Sequence, residues 1–285
     1  MEEKTACITG AGSGIGFHTA LELARQGYRV ILGIRNAEKA AISANEIRKA
    51  VPGSSVLPMT LDLSSRVSIE AFAAELSASV PSLDILVNNA GQMCSTYKTT
   101  ADGFELQIGV NYMGHFLLTR LLHGHLKKAP EGRVIVVSSS AHYGGKIDFE
   151  RFRSDKGKYR GMPAYAQSKL AKVLFAREFA RRHPELRCYS LHPGVVASDI
   201  VRGENQGLLM TIGWALFKPF TFSPWRGAKT SVFLATASPP PEPNGQYFDE
   251  HQHPMKPSRL AQDPELAREL WDVSERLWRE AGAKI

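Results

Sequence analysis

Residues 5–26 read TACITGAGSGIGFHTALELARQ. A short β-rich run, Thr5–Thr9, passes directly into a loop with glycine at positions 10, 12, 14 and 16, and an amphipathic stretch over 16–26 follows at once. Glycine lets the backbone turn tightly and come close to a ligand. Free N–H groups at the start of the next helix then face that ligand, which suits a phosphate. A glycine-rich loop alone matches by chance, and here Gly10, Gly14 and Gly16 give G-x-x-x-G-x-G rather than G-x-G-x-x-G. The context decides the reading, because strand, loop and helix in that order build the nucleotide site of an open α/β sheet.

The same rhythm continues outward from this stretch. β-Rich runs recur at 29–34, 55–61, 84–88, 133–138, 187–191 and 246–248, with amphipathic segments at 37–50, 68–79, 104–126 and 165–183 between them. Nearly continuous apolar strands alternating with helices predict a parallel sheet covered on both faces. No repeat or linker divides the 285 residues, and 43% of them are hydrophobic, enough for a large core. The expectation is therefore one α/β domain over 1–285, a Rossmann-type doubly wound parallel sheet of about seven strands. Two segments interrupt the pattern. Residues 144–162 are polar and charged, an excursion between strand and helix. Residues 203–225 are apolar and aromatic, and follow the sixth strand's carboxyl end, where such sheets bind ligands, so they are expected to form a substrate lid.

Composition excludes several classes. The net charge is +7, but the basic residues are scattered, and the densest groups, Lys127-Lys128 and Arg181-Arg182-His183, fall at expected helix ends, where cations complement the dipole. No nucleic-acid surface is expected. The three cysteines, Cys7, Cys94 and Cys188, form no CxxC pair, which fits a reducing compartment. The first strand begins almost at residue 1, and the longest apolar run, 208–217, has ten residues, so neither a leader nor a membrane span is expected and the reading is cytoplasmic. His123 and His125 are two apart and do not share a helix face, while His251 and His253 sit beside Pro254. Without HExxH or Cys/His spacing, no metal site is expected.

Further residues carry chemistry. The second strand ends Gly33-Ile34-Arg35-Asn36. A site for NAD offers a carboxylate here to the ribose hydroxyls, whereas Arg35 suits a 2′-phosphate, so NADP(H) is the expected cofactor. Asp62-Leu63 follows the third strand, where a carboxylate can accept from an adenine amino group. Asn89-Ala90-Gly91 end the fourth, and their small size lets backbone pass close to the cofactor. Either is also read as an ordinary strand-end turn. Tyr165 and Lys169 are four apart on an expected helix and share a face. An ammonium beside a phenol favours the phenolate, so the pair can exchange a proton with a substrate oxygen while hydride moves at carbon. The strand ending Val137-Ser138-Ser139-Ser140 presents a hydroxyl to the same oxygen.

Together these ordered motifs resemble the short-chain dehydrogenase/reductase family over almost the whole chain. The resemblance implies that Tyr165 is the general acid or base, that Lys169 assists it and holds the nicotinamide ribose, and that Ser139 orients the substrate oxygen. It also implies that Asn111, in Gly109-Val110-Asn111, holds a water linking Lys169 to solvent. Ser13 and Ile15 map to the pyrophosphate loop and Asn89 to the adenosine-side wall. Pro193, Gly194 and Val196 map to the frame of the nicotinamide carboxamide, with Ser198 where the family has threonine. Within the family the chain is most similar to the retinol dehydrogenase-like branch, on residues 88–91, 98–105, 109–118 and 164–175 and on the 26-residue spacing from Ser139 to Tyr165. The apolar 203–225 segment and this resemblance lead to the expectation of a lipophilic carbonyl or alcohol substrate (retinal-, steroid- or fatty-aldehyde-like), and the family resemblance implies a homo-oligomer through the 104–126 and 165–183 helices. Two rival readings are a non-catalytic NADP(H)-binding redox sensor and a nucleotide-sugar-type epimerase. The intact Asn111, Ser139, Tyr165 and Lys169 set argues against the first, and the short C-terminal portion against the second.

Overall fold

The computed structural model describes residues 3–154, 157, 159–196 and 222–285. Eight strands form one sheet: β1 (Thr5–Thr9), β2 (Arg29–Ile34), β3 (Val56–Thr60), β4 (Ile85–Asn88), β5 (Arg133–Val137), β6 (Arg187–Leu191), β7 (Tyr247–Phe248) and β8 (Pro254–Met255). Their order is β3-β2-β1-β4-β5-β6-β7-β8. The first seven are parallel, and β8 pairs antiparallel with β7. The expectation of about seven strands holds for the parallel set. The eighth is an exposed two-residue edge strand too short to leave a period-2 signal.

The sheet reverses its winding direction between β1 and β4, and such a switch point opens a crevice at the strands' carboxyl ends. Three helices flank the first half: α1 (Gly14–Arg25), α2 (Ala37–Ala50) and α3 (Arg66–Ser79). Asn36 caps α2 by accepting from the Lys39 N–H at 2.7 Å.

The expected helix over 104–126 is interrupted. A single turn, α4 (Leu106–Ile108), leads into a π-helical turn (Gly109–Met113) before α5 (Gly114–Lys128). The carboxylate of Glu105 starts this element, accepting from the N–H groups of Gln107 and Ile108 at 3.0 and 2.8 Å. The helix expected at 165–183 begins four residues earlier, as α6 (Gly161–Arg182), with Pro163 in its first turn, where its missing N–H costs nothing.

Among the described residues, two helices stand outside the expected elements: α7 (Pro224–Thr236) and α8 (Pro264–Glu280). Both begin with an N-cap side chain followed by proline, Ser223-Pro224 and Asp263-Pro264. Helix α8 buries Leu270, Trp271, Leu277 and Trp278, and Trp271 stacks on Phe175 of α6 with ring centroids 5.8 Å apart. It also meets α5, where Phe116 lies edge-on to Trp271 and Arg120 pairs with Glu275 at 3.0 Å. The chain's own C-terminal helix thus covers apolar surface of α5 and α6, the helices from which a subunit interface was expected. No helix among the described residues is long and apolar enough to cross a membrane.

Candidate active site

A cleft of about 480 Å³ opens along the carboxyl ends of the first strands. The predicted loop residues Gly10, Ser13, Gly14, Ile15 and Gly16 line it, and so do Arg35, Asp62, Leu63 and Asn89–Gly91. The loop needs two of its glycines for distinct reasons. Gly10 has a φ of +68° and packs against Ala90. At Gly16, a Cβ would lie 2.4 Å from the Gly10 carbonyl oxygen. Replacing either closes the turn that brings free N–H groups to the cleft.

Thr9 anchors the floor. Its hydroxyl oxygen accepts from the N–H groups of Asn89 and Ala90, both at 3.0 Å, and the Asn89 amide donates back to the Thr9 carbonyl at 2.8 Å. Asp62 serves both sequence readings, since it borders the cleft and also closes a turn, with Oδ1 accepting from the Ser64 N–H and hydroxyl at 2.9 and 2.6 Å. Several lining residues were not predicted. Lys39 is the most telling, reaching over Gly12 on the same side as Arg35. Its signal was a second cation one turn into the helix that follows Arg35.

None of the four catalytic candidates lines this cleft, but Lys169 and Asn111 lie beside Gly91 at its edge. Lys169 is buried and Tyr165 half-buried. The ammonium of Lys169 sits 5.3 Å from the Tyr165 ring centroid, so the i, i+4 relation holds. Lys169 also borders the cofactor side, because a Cβ on Gly91 would lie 3.5 Å from its Nζ. The first two serines after β5 divide their tasks. Ser138 is buried and donates to the Lys169 carbonyl at 2.8 Å, whereas half-buried Ser139 accepts from the Ala141 N–H at 3.2 Å and keeps its own hydroxyl hydrogen for another partner.

Asn111 lies in the π-turn, fully buried. Its Oδ1 accepts from the Gln92 N–H at 2.8 Å, and its Nδ2 donates to the Gln92 carbonyl and the Ser168 hydroxyl, both at 2.9 Å. The amide therefore ties the loop after β4 to α6. The Asn111 carbonyl faces His115, whose Nδ1 is 2.9 Å away. Burial, with Lys172 and Lys169 adding to it, holds the His115 pKa well below its ordinary value, so the imidazole is neutral. Lys172, one turn beyond Lys169, is also buried and donates to the Asn88 carbonyl at 2.9 Å. Burial, together with the charge of Lys169, pushes its pKa well down. The sequence marked it merely by its i+3 spacing from Lys169.

Among the described residues, the loop after β6 does not line the cleft, and reaches it only through contact with Ile15. Val196 packs with Ile15 of the glycine loop and Ala228 of α7. Gly194 has a φ of +74° and lies against the Phe222 ring, while Pro193 is buried. Ser198 and most of the expected lid, including Leu208, Trp214 and Phe217, lie outside the described residues. At the lid's end, Phe222 bridges to Val196 and donates its N–H to the Val195 carbonyl at 2.8 Å, and Trp225 is half exposed. A second cavity, of about 1040 Å³, opens beside the start of α6 between the 144–151 segment and Pro163-Ala164, and none of the four catalytic candidates lines it.

A glycine turn after β1, a cleft along the switch point, and a tyrosine–lysine pair whose ammonium lies near Gly91 at its edge match the arrangement expected of a nicotinamide-dependent oxidoreductase. The short-chain dehydrogenase family model matches residues 4–208, and the chain belongs to that family, in its retinol dehydrogenase-like branch. Retinol dehydrogenase 12 of Homo sapiens is 45% identical over 273 residues, which span 95% of this chain and 85% of that protein. Among solved structures, an uncharacterised protein from Mycobacterium paratuberculosis is 34% identical with a TM-score of 0.77, covering 97% of this chain and 93% of that one. A short-chain dehydrogenase of Shigella flexneri 2a, solved with NADP, shares the fold at 23% identity and a TM-score of 0.69, covering 88% of this chain and 98% of that one.

Proposed function

We propose that the chain is an NADP(H)-dependent dehydrogenase/reductase that interconverts a lipophilic carbonyl compound and its alcohol. The observation that carries this reading is the position of Lys169. It faces the Tyr165 ring on one side and the cofactor cleft at Gly91 on the other. The nicotinamide, when bound, supplies or accepts the hydride. In the reducing direction Tyr165 gives its phenolic proton to the substrate oxygen, and in the oxidising direction it takes that proton back. Ser139 donates its free hydroxyl hydrogen to the same oxygen and holds it in place. Lys169 holds a positive charge beside the phenol and reaches toward the ribose side of the cleft. Asn111, with both side-chain ends bonded to Gln92 and Ser168, is the residue near which the family resemblance places a relay water.

Two cations, Arg35 and Lys39, line the cleft after β2, where the adenosine ribose would lie, with no carboxylate in the usual NAD position, and this supports NADP(H). The retinol dehydrogenase relatives and the apolar 203–225 segment support a lipophilic substrate. The three free cysteines fit a cytoplasmic, reducing setting. The single sheet supports one domain over 1–285.

Turnover of a graded series of aldehydes and ketones with NADPH and NADH tests the proposal. Expected is a preference for NADPH and a kcat/KM that rises with chain length or ring bulk, since each Å² of apolar substrate surface buried contributes about 25 cal/mol. No turnover with any member, or equal use of short polar carbonyls, overturns it.

A further inference from the structure

Helix α6 ends on the opposite edge of the sheet from the cofactor cleft. There the chain turns through His183 and Glu185 into β6, beside His123 of α5. The imidazoles of His123 and His183 lie with ring centroids 4.2 Å apart. One carboxylate oxygen of Glu185 is 3.7 Å from His123 Nε2 and 3.8 Å from His183 Nδ1. One ligand-type atom from each of the three residues falls within 4.8 Å of the others. Tetrahedral zinc with bonds of 2.0–2.1 Å places its ligands about 3.4 Å apart, so Glu185 has to close on each ring by a few tenths of an ångström and the widest pair of ligand atoms by up to about 1.4 Å.

Among the described residues, His123 Nε2, which faces Glu185, is shielded from solvent and makes no hydrogen bond within normal distance. His183 faces Glu185 through Nδ1, and its other ring nitrogen, Nε2, is shielded and likewise without a partner. Burial and the nearby Lys127 lower the pKa of His123. Burial and the neighbouring His123 lower that of His183 to about 4. Both rings are thus neutral at pH 7 with a lone pair for a cation. Of the nearby positive charges, Arg120 is already paired with Glu275 and lies over Trp271. Lys127 is half exposed and pairs with Glu185 at 3.5 Å, so an arriving cation has to displace it. Two imidazoles and a carboxylate are a donor set for zinc rather than for magnesium or calcium.

We propose that His123, His183 and Glu185 form a binding site for a zinc-type divalent cation, with a fourth position open to water, which clamps the end of α6 to α5. The site lies away from the catalytic residues, so its effect is on stability and not on the chemical step.

The test uses full-length protein freed of metal with EDTA, titrated with Zn²⁺ against a chromogenic zinc chelator, with Tm recorded with and without the ion. Expected is one equivalent bound more tightly than about 10 μM with a rise in Tm. His123→Ala, His183→Ala and Glu185→Gln should each weaken binding by about tenfold or more and lose the rise. Glu185→Gln keeps size at a partly exposed position and remains informative should a histidine variant fail to fold. Lys127→Ala should bind at least as tightly as wild type, because a competing cation is gone. His253→Ala, in the separate His251/His253 loop, should behave as wild type. No binding at about 100 μM Zn²⁺, unchanged binding in all three ligand variants, or loss confined to His253→Ala overturns the proposal.

Discussion

The indole of Trp278 donates its N–H to the carbonyl of Met113 at 2.9 Å, in a buried contact between residues 165 positions apart. Met113 closes the π-turn that carries Asn111, and the same helix adds a second tie, from Tyr112 to Ser274 at 2.8 Å. Trp278 also meets Phe104 edge-on at 4.9 Å. The C-terminal helix thus braces the turn behind the candidate site from outside the first half of the sheet.

Trp278→Ala should therefore lower stability by about 3–5 kcal/mol, the usual cost of emptying a packed indole site. Trp278→Phe keeps most of the contact but leaves the Met113 carbonyl without this donor, and should cost about 1–3 kcal/mol. Urea unfolding of the three proteins checks both values. A near-wild-type Trp278→Ala would mean that α8 is held elsewhere.

Tyr165→Phe retains the ring over Lys169 and removes the exchangeable proton. Turnover should fall by about 10²-fold or more while cofactor binding stays close to wild type. Steady-state kinetics with cofactor titration by fluorescence separates the two effects. Substantial remaining turnover would assign the proton step to another group.

Arg35→Ala should raise KM for NADPH much more than for NADH, because NADPH alone has a 2′-phosphate that loses a charge-assisted bond. Lys39→Ala should do the same to a smaller extent, and the double variant should approach equal use of both cofactors. Parallel KM measurements decide this. A uniform loss for both cofactors would place the two cations at the shared pyrophosphate.

The pH dependence of stability should carry the mark of His115. Its ring is buried, with Nδ1 2.9 Å from the Asn111 carbonyl and Nε2 2.9 Å from the Thr9 hydroxyl. A neutral ring fits both contacts, with Nδ1–H donating and Nε2 accepting. Unfolded, the histidine takes a proton near pH 6.5, whereas in the fold it does not until well below that. The unfolded state then binds more protons, so stability should fall as pH drops below 6.5 and be unaffected by this group above it. His142, also lowered by burial, contributes in the same direction. His115→Gln should be less stable at pH 8 and lose less on acidification, as read by denaturant unfolding at pH 5–8. An unchanged slope would assign the acid sensitivity to other groups.

How far the sequence reaches differs by element. The strands 29–34 and 187–191 and the helix 37–50 were legible to the residue, because apolar periodicity and a cap such as Asn36 act within a few positions. The unbroken helix expected over 104–126 missed its π-turn, which is fixed by bonds to Gln92, Ser168 and Trp278 from three distant segments. Helix α8 has a clear apolar stripe, but its value depends on Phe175 and Phe116, which no local pattern connects to it.

By itself the sequence determined the glycine turn at Gly10–Gly16, the parallel α/β order, and the shared face of Tyr165 and Lys169. Each is a short-range property of backbone freedom or helical spacing. Tertiary structure alone decided which serine after β5 keeps a free hydroxyl, that Lys172 is buried behind Lys169, and that His123 meets His183 and Glu185 rather than His125. Those outcomes depend on the order β3-β2-β1-β4-β5-β6 and on where the helices land across it. Two side chains remote in sequence become neighbours only when the sheet has closed around a common core.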